Sequence, residues 1–138
     1  MQLTRAADYA TRVMVHLAGM PAGSRASLPE LAAAVEVPEH FLSKVLQALG
    51  RNGLIQSQRG ACGGFVLSAD PERVSLLDVV EAIEGPIRLN LCLGPGDGCT
   101  RKSRCPVHLV WTDAQAALIG VLRAASIAHL ARQALEVV

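Results

Sequence analysis

The clearest chemistry in this chain belongs to three cysteines and a histidine. Cys92, Cys99, Cys105 and His108 fall within 17 positions, on a glycine-rich stretch that mostly lacks helical or strand periodicity. Thiolates are soft ligands suited to iron–sulfur clusters or zinc, and a flexible loop can wrap around such a group. The spacing lacks the close cysteine pairs of common zinc sites. The group therefore predicts metal or redox chemistry, with three unrelated loop cysteines as the alternative.

A second set of polar side chains is suited to contacting nucleic acid. Residues 38–50 place apolar side chains at helical spacing, and the opposite face of that helix carries polar and basic residues. A glycine-rich turn after the helix carries a further arginine. Such side chains can neutralise phosphates, reach base edges and enter a minor groove. The predicted DNA-contacting residues are His40, Ser43, Lys44, Gln47, Arg51 and Arg59. The alternative is a solvated helix face beside a structural hairpin.

The distribution of charge supports one phosphate-facing side. The formal net charge is only +1, from 13 basic and 12 acidic residues. Residues 40–69 contain three basic residues and no acidic one, whereas residues 70–84 contain five acidic residues and one basic one. A positive segment followed by a negative one fits a molecule that presents one face to DNA.

The elements that must position these residues can be predicted from periodicity, caps and turn residues. The predicted helices are residues 3–17, a short helix from Ser27, 38–50, 75–84, 106–125 and a last helix from Ser126; the predicted strands are 54–58 and 65–68. This order is typical of a winged helix-turn-helix, in which the second helix of the pair enters the major groove. The predicted fold is mainly α with a small β-hairpin wing and a long C-terminal dimerisation helix.

Three regions follow from this order: a winged helix-turn-helix DNA-binding domain over residues 1–85, a cysteine-rich cluster-binding loop over 86–105, and a dimerisation helix with a C-terminal helix over 106–138. With 51% hydrophobic and 3% aromatic residues, the composition excludes a disordered chain and disfavours an all-β fold. The longest apolar run is far short of the roughly 20 residues of a membrane span. The chain lacks a secretion-signal pattern, so we expect a cytoplasmic protein.

Four stretches together resemble the IscR/NsrR family of bacterial regulators, also called the Rrf-two family. They are the start MQLTRAADYA, residues 49–55 (LGRNGLI), the wing at 59–65 (RGACGGF) and the three-cysteine loop. The resemblance covers nearly the whole chain. It implies a homodimeric winged-helix transcription factor that binds a double-stranded DNA operator. It also implies an iron–sulfur cluster that senses redox state, nitric oxide or iron status, and a dimer interface on the long helix.

The resemblance also implies a ligand set. Cys92, Cys99 and Cys105 match the three cluster thiolates of the family. IscR-like members take a fourth ligand from a histidine at the position of His108, and NsrR-like members from an aspartate of the other subunit at the position of Asp8. Both residues are present, so both assignments stay open. Because Cys105 and His108 are three residues apart at a helix start, His108 and a 2Fe–2S cluster are favoured slightly over Asp8 and a 4Fe–4S cluster.

The predicted function is therefore a cluster-sensing DNA-binding repressor or activator that forms homodimers. The chain has no phosphate-binding loop or recognisable triad pattern, so we expect no enzyme activity, and neither a small-molecule substrate nor a membrane as a partner. Two alternatives belong to other classes. One is a winged-helix interaction module stapled by zinc. The other is a cluster-free switch in which the thiols form a reversible disulfide.

Overall fold

The computed structural model describes residues 2–96 and 98–137. Its elements are α1 (Arg5–Gly19), α2 (Leu28–Val35), α3 (Glu39–Arg51), β1 (Ile55–Gln58), β2 (Gly64–Leu67), α4 (Leu76–Glu84), α5 (Pro106–Ala124) and α6 (Ile127–Glu136). Single 3-10 turns lie at Leu91–Leu93 and Lys102–Arg104. The predicted class, mainly helical with a hairpin wing, is confirmed. Met1, Asp97 and Val138, which the predicted regions include, lie outside the described residues.

Helix α1 is the centre of the core. Its buried face is formed by residues at helical spacing, among them Ala7 and Ala10, and it packs against α2, α3, α4 and α6. The small alanines allow neighbouring helices to approach closely. The side chains that are fully buried around them are mostly aliphatic, including Met14, Leu31 and Ile127. An aliphatic core follows from a sequence that has only 3% aromatic residues.

The helix-turn-helix is built by local signals. Ser27 and Glu30 form a capping box, in which the Glu30 N–H donates to Ser27 Oγ at 3.3 Å and the Ser27 N–H donates to Glu30 Oε2 at 3.0 Å. Helix α2 ends at Glu36, whose φ of 57° reverses the chain direction. The four predicted apolar positions of α3 are all buried: Leu42, Val45, Leu46 and Leu49. Their burial turns the opposite, polar face of α3 outwards.

Several predicted element starts differ from the observed ones by one or two residues, and the first and third helices show why. Leu3 was expected on the apolar stripe of the first helix, but it precedes α1 and is 55% exposed. The reason is that Thr4 is the N-cap, with its Oγ1 accepting from the Ala7 N–H at 3.2 Å. Pro38 was expected inside the third helix. It is instead the N-cap of α3, with an extended ψ of 138°.

The hairpin pairs Ile55 with Leu67 and Gln58 with Gly64 in antiparallel register. A separate bridge joins the hairpin to the residues before α2, because Ala26 and Phe65 exchange two backbone hydrogen bonds of 3.1 and 2.8 Å. Gly64 is required for this close approach, since a Cβ there would lie 2.7 Å from the Ala26 carbonyl oxygen. The wing is therefore held against the helix-turn-helix.

The C-terminal helices have opposite environments. Helix α6 folds back onto α1, and a bridge between Ser75 and Ser126 fixes its start. In contrast, none of the residues described in α5 is buried. Large apolar side chains such as Val110 and Val121 are 61% and 70% exposed along it. No helix in the described part of the chain is long and apolar enough to cross a membrane.

Candidate functional site

Cys92, Cys99, Cys105 and His108 line a single cavity of about 250 Å³. Cys92 lies in the 3-10 turn Leu91–Leu93, Cys99 lies in the loop that follows, and Cys105 is the residue before α5. His108 belongs to the first turn of α5, and its N–H donates to the Cys105 carbonyl oxygen at 3.2 Å. The four side chains that the sequence selected by type and spacing therefore surround one space.

Backbone contacts hold the loop beside α5. The Leu89 N–H donates to Gln115 Oε1 of α5 at 2.9 Å, which ties the start of the loop to the middle of that helix. Asn90 then caps the 3-10 turn, because its Oδ1 accepts from the Leu91 N–H at 2.9 Å. Gly98 passes close to this turn, where a Cβ would lie 3.2 Å from the Leu91 carbonyl oxygen. Because of these contacts, Cys92, which precedes the glycines of the loop, lies on the same side of α5 as Cys99 and Cys105, which follow them.

The donor atoms at the cavity are available for a ligand. All three cysteines are free thiols; Cys92 is buried, and Cys99 and Cys105 are half-buried. Nδ1 of His108 is buried and has no hydrogen-bond partner among the described residues. Because buried polar atoms are nearly always satisfied, such an orphaned nitrogen indicates a missing partner at this position. Lys102 and Trp111 also line the cavity, so one cation lies beside the thiols.

The four donors surround a volume and do not converge on a point. Within residues 2–96 and 98–137, no three histidine, cysteine, aspartate or glutamate side chains lie close enough together to hold one metal ion. A closed tetrahedral zinc site needs that convergence, at about 2.0–2.3 Å from the metal to each ligand. The structure therefore shows four donors around one cavity and, among the described residues, no preformed site for a single metal ion.

Asp8 does not line this cavity. It lies exposed on α1, and its Oδ2 accepts from Arg12 Nη2 at 2.8 Å. Nη1 of the same arginine donates to the Val35 carbonyl oxygen at the end of α2, at 3.1 Å. Within one chain, the structure thus brings together three cysteines and His108 but not Asp8.

The residues predicted to contact DNA share one face of α3 and the adjoining wing. At about 100° per residue, the five positions on α3 fall within an arc of about 100°. Four of them are exposed and Ser43 is half-buried. Ser43, Gln47 and Arg51 border an open groove of about 470 Å³ between α3 and the hairpin. Arg59 is exposed directly after β1.

Two residues at this surface were missed at the level of sequence. Arg25 donates from Nη1 to the Cys62 carbonyl oxygen at 2.9 Å, so it fastens the tip of the wing. No motif marks it, because the partner lies 37 positions away. Phe41 is 50% exposed on α3, with its ring centroid 4.2 Å from that of His40. Phe41 is aromatic but lies outside the buried apolar stripe of α3, and this mismatch is the sequence signal that could have identified it.

This arrangement, a helix-turn-helix with a polar second helix and a fastened hairpin wing, defines a winged-helix DNA-binding protein. Residues 3–133 match the model of a family described as "Rrf2: Iron-dependent Transcriptional regulator". The chain belongs to the Rrf2 family of transcriptional regulators. The family and its named members are regulators and not enzymes, which confirms the predicted class and the resemblance.

Three similar proteins place the chain within the family. It is 32% identical over 131 residues to the HTH-type transcriptional regulator NsrR of Geobacillus kaustophilus, covering 94% of this chain and 89% of the relative. It is 27% identical over 130 residues to IscR of Escherichia coli, covering 94% and 80%. Among solved structures, CymR, the global cysteine regulator of B. subtilis, superposes with a TM-score of 0.78 at 26% identity and 96% and 98% coverage.

Proposed function

We propose that this protein is a transcriptional regulator whose operator binding is controlled by an iron–sulfur cluster held by Cys92, Cys99 and Cys105. The observation that carries the proposal is that these three free thiols and His108 line one cavity of about 250 Å³. Similarity to regulators named NsrR and IscR supports it. When bound there, a cluster would supply chemistry that responds to redox state, nitric oxide or iron supply.

For the fourth ligand we propose His108 of the same chain. Its orphaned, buried Nδ1 favours it, and so does its place one turn after Cys105. Asp8 would have to give up its 2.8 Å ion pair with Arg12, and a second copy would have to bring it to the cavity. Imidazole replaces thiolate as a ligand in 2Fe–2S proteins of the Rieske kind, which use two cysteines and two histidines, whereas the set proposed here has three cysteines and one histidine. We therefore propose a 2Fe–2S cluster, and Asp8 with a 4Fe–4S cluster is the competing assignment.

Within the proposed DNA-binding surface, basic and uncharged side chains contact different parts of the duplex. Lys44 and Arg51 neutralise phosphates, whereas Ser43, Gln47 and His40 reach base edges from the same face of α3. Arg59, exposed at the start of the wing turn, enters the adjacent minor groove. We propose the three functional regions that the sequence predicts: residues 1–85 bind DNA, 86–105 hold the cluster, and 106–138 support a dimer.

The dimer proposal rests on α5. Several of its apolar side chains are uncovered among the described residues, since Val110 and Val121 are 61% and 70% exposed. Exposed apolar surface of this extent along one helix indicates a protein partner, and a second copy would place two recognition helices on one duplex. The residue after α5 is tied to the start of α4, because the Leu76 N–H donates to the Ala125 carbonyl oxygen at 2.8 Å. This contact offers a route from the cavity to α4, which packs against α3.

A thiol switch is the second candidate function, and one specific observation favours it. CymR, one of the similar solved structures, is described as the global cysteine regulator of B. subtilis. The same free thiols around the cavity are the groups that a reversible disulfide would use. In this case DNA binding would respond to oxidants, and iron would have no effect.

The test is the visible spectrum of protein purified without oxygen, combined with iron and acid-labile sulfide analysis. We expect a brown or red protein that contains both elements, and Cys105→Ser should lose the colour. Cys62→Ser is the matched control, because Cys62 is exposed at the wing tip and does not line the cavity. A colourless protein with one zinc per chain would support the zinc module instead. A colourless protein without metal would support the thiol switch.

The fourth ligand is tested on the same samples. His108→Ala should shift the spectrum and shorten the cluster lifetime, whereas Asp8→Ala should leave both as in the parent. Arg12→Ala is the control for Asp8, since it breaks the same 2.8 Å ion pair but removes no possible ligand. A parent-like spectrum for His108→Ala together with loss of the cluster in Asp8→Ala would reverse the assignment.

A further inference from the structure

A second cavity lies away from the cysteines, directly behind the recognition helix. Its volume is about 360 Å³, and α1, α3 and α4 all contribute to it. Ala48 and Ile83, both half-buried, belong to its lining, and Tyr9 and Phe41 supply an aromatic ring each from α1 and α3. Pockets that bind small molecules have volumes of about 300–1,000 Å³ and mostly apolar walls. Of its lining residues, only Lys44 belongs to the proposed DNA-contacting set, and none belongs to the cysteine cavity.

The charged groups of this cavity are all positive. Of its eight lining residues, only Arg5 and Lys44 are charged. Neither forms an ion pair within 4.0 Å among residues 2–96 and 98–137, where Asp8, Asp70 and Glu72 are the acidic residues that do pair. Glu84 follows Ile83, and its Oε1 accepts from the Thr4 N–H at 2.6 Å. Two cations without an anion therefore lie beside an apolar floor.

We propose that this cavity binds a small organic anion, a carboxylate with an apolar body. The carboxylate would pair with Lys44 and Arg5, and the body would lie against Tyr9, Phe41 and Ile83. A charge-assisted hydrogen bond to a carboxylate is about twice as strong as a neutral one, so the anion is favoured over an uncharged analogue. The two aromatic rings favour a ligand that carries a ring or a short alkyl chain.

The site also has a consequence for regulation, and this part rests on the proposed function. Lys44 lies on α3 and belongs to the proposed phosphate-contacting set. A carboxylate paired with its ammonium group competes with a DNA phosphate for the same cation. Ligand binding should therefore weaken DNA binding, independently of the cysteines. The protein would then respond to two signals.

The ligand-binding test uses calorimetry on the full-length protein with hydrocinnamate as the probe and its neutral amide as the comparison. We expect saturable binding of hydrocinnamate, with the amide at least about tenfold weaker. Lys44→Ala and Arg5→Ala should abolish this preference for the acid. Phe41→Ala should weaken acid and amide alike. Arg73→Ala removes one positive charge outside the cavity, and it should bind as the parent does.

Several results would overturn the proposal. These are no saturable binding at millimolar hydrocinnamate, equal binding of acid and amide, or parent-like binding by both Lys44→Ala and Arg5→Ala. An equal loss in Arg73→Ala would mean that general charge, and not the cavity, attracts the probe. A change from dimer to monomer in sedimentation of Phe41→Ala would assign the cavity to a second copy and also overturn the proposal.

The regulatory consequence is measured separately by titrating operator DNA with and without saturating hydrocinnamate. We expect the apparent Kd for DNA to rise at least about threefold in the parent and to stay unchanged in Lys44→Ala. If the protein binds no DNA at all, the proposed function fails while the calorimetric result still stands. If DNA binds equally well with the cavity saturated, the competition at Lys44 is refuted.

Discussion

Replacing Gly64 by alanine should detach the wing from the helix-turn-helix. The Cβ would lie 2.7 Å from the Ala26 carbonyl oxygen and 2.9 Å from its carbon, and both are backbone atoms that cannot turn aside. The chain must move apart there. The movement breaks the two hydrogen bonds between Ala26 and Phe65, of 3.1 and 2.8 Å, that fasten β2.

The size of the effect follows from these contacts. Each backbone hydrogen bond contributes about 1 kcal/mol net, so losing two costs about 2 kcal/mol. Alanine also restricts the unfolded chain, by about 0.5 kcal/mol, but the φ of 157° at Gly64 is one that L side chains rarely adopt, so strain offsets this gain. The net loss in free energy of unfolding is therefore about 2 kcal/mol. For a chain of this length that corresponds to about 7 °C in the melting temperature.

The assay is urea unfolding followed by circular dichroism, with Gly19→Ala as the control. A Cβ at Gly19, the last residue of α1, meets nothing within 4 Å, so that variant should be as stable as the parent or up to about 1 kcal/mol more stable. Gly64→Ala should also reduce DNA affinity, and adding Arg59→Ala should cause little further loss, because both changes remove the same wing contact. Parent-like stability of Gly64→Ala would refute the argument that this bridge fastens the wing.

Three further predictions concern folding, assembly and DNA contact. Ser75→Ala should lower the free energy of unfolding by about 1 kcal/mol, because its Oγ accepts from the Asp78 N–H at 3.1 Å; an unchanged urea midpoint would contradict the capping role. Val121 is 70% exposed on α5, and Val121→Asp should convert dimers into monomers in sedimentation and weaken operator binding. The monomeric variant should still unfold cooperatively on heating, because this side chain is not part of the core. If the variant remains a dimer, the interface lies elsewhere. Lys44→Ala should weaken DNA binding on all sequences and make the salt dependence shallower by about one unit, whereas an unchanged slope would remove Lys44 from the phosphate contacts.

Local signals account for the parts of the fold that the sequence predicted correctly. The capping boxes at Ser27 and Ser75 need only residues three positions apart, and both form in the structure. The apolar stripe of α3 and the glycine-rich hairpin likewise depend on short-range patterns. The errors at Leu3 and Pro38 have the same origin, because periodicity alone does not say which neighbouring residue becomes the N-cap.

In the candidate site too, the features that depend on residues close in the chain were predicted, and those that depend on distant residues were not. Spacing placed Cys105 and His108 on one turn, and the structure places both at the same cavity as Cys92 and Cys99. The bond from Arg25 to the wing tip, and the cavity behind α3, join residues that are distant in the chain. Neither has a sequence signature, because each depends on how the helices pack. What covers α5 depends on a second molecule, so one chain cannot determine it.

The most direct test of the account is an operator titration of oxygen-free protein before and after the iron is removed. If a cluster at Cys92, Cys99 and Cys105 controls DNA binding, the two forms should differ in affinity by at least about tenfold, which is a coupling of about 1.4 kcal/mol. Cys105→Ser should abolish the difference and Cys62→Ser should keep it. Equal affinity of the iron-loaded and iron-free forms would contradict the central claim.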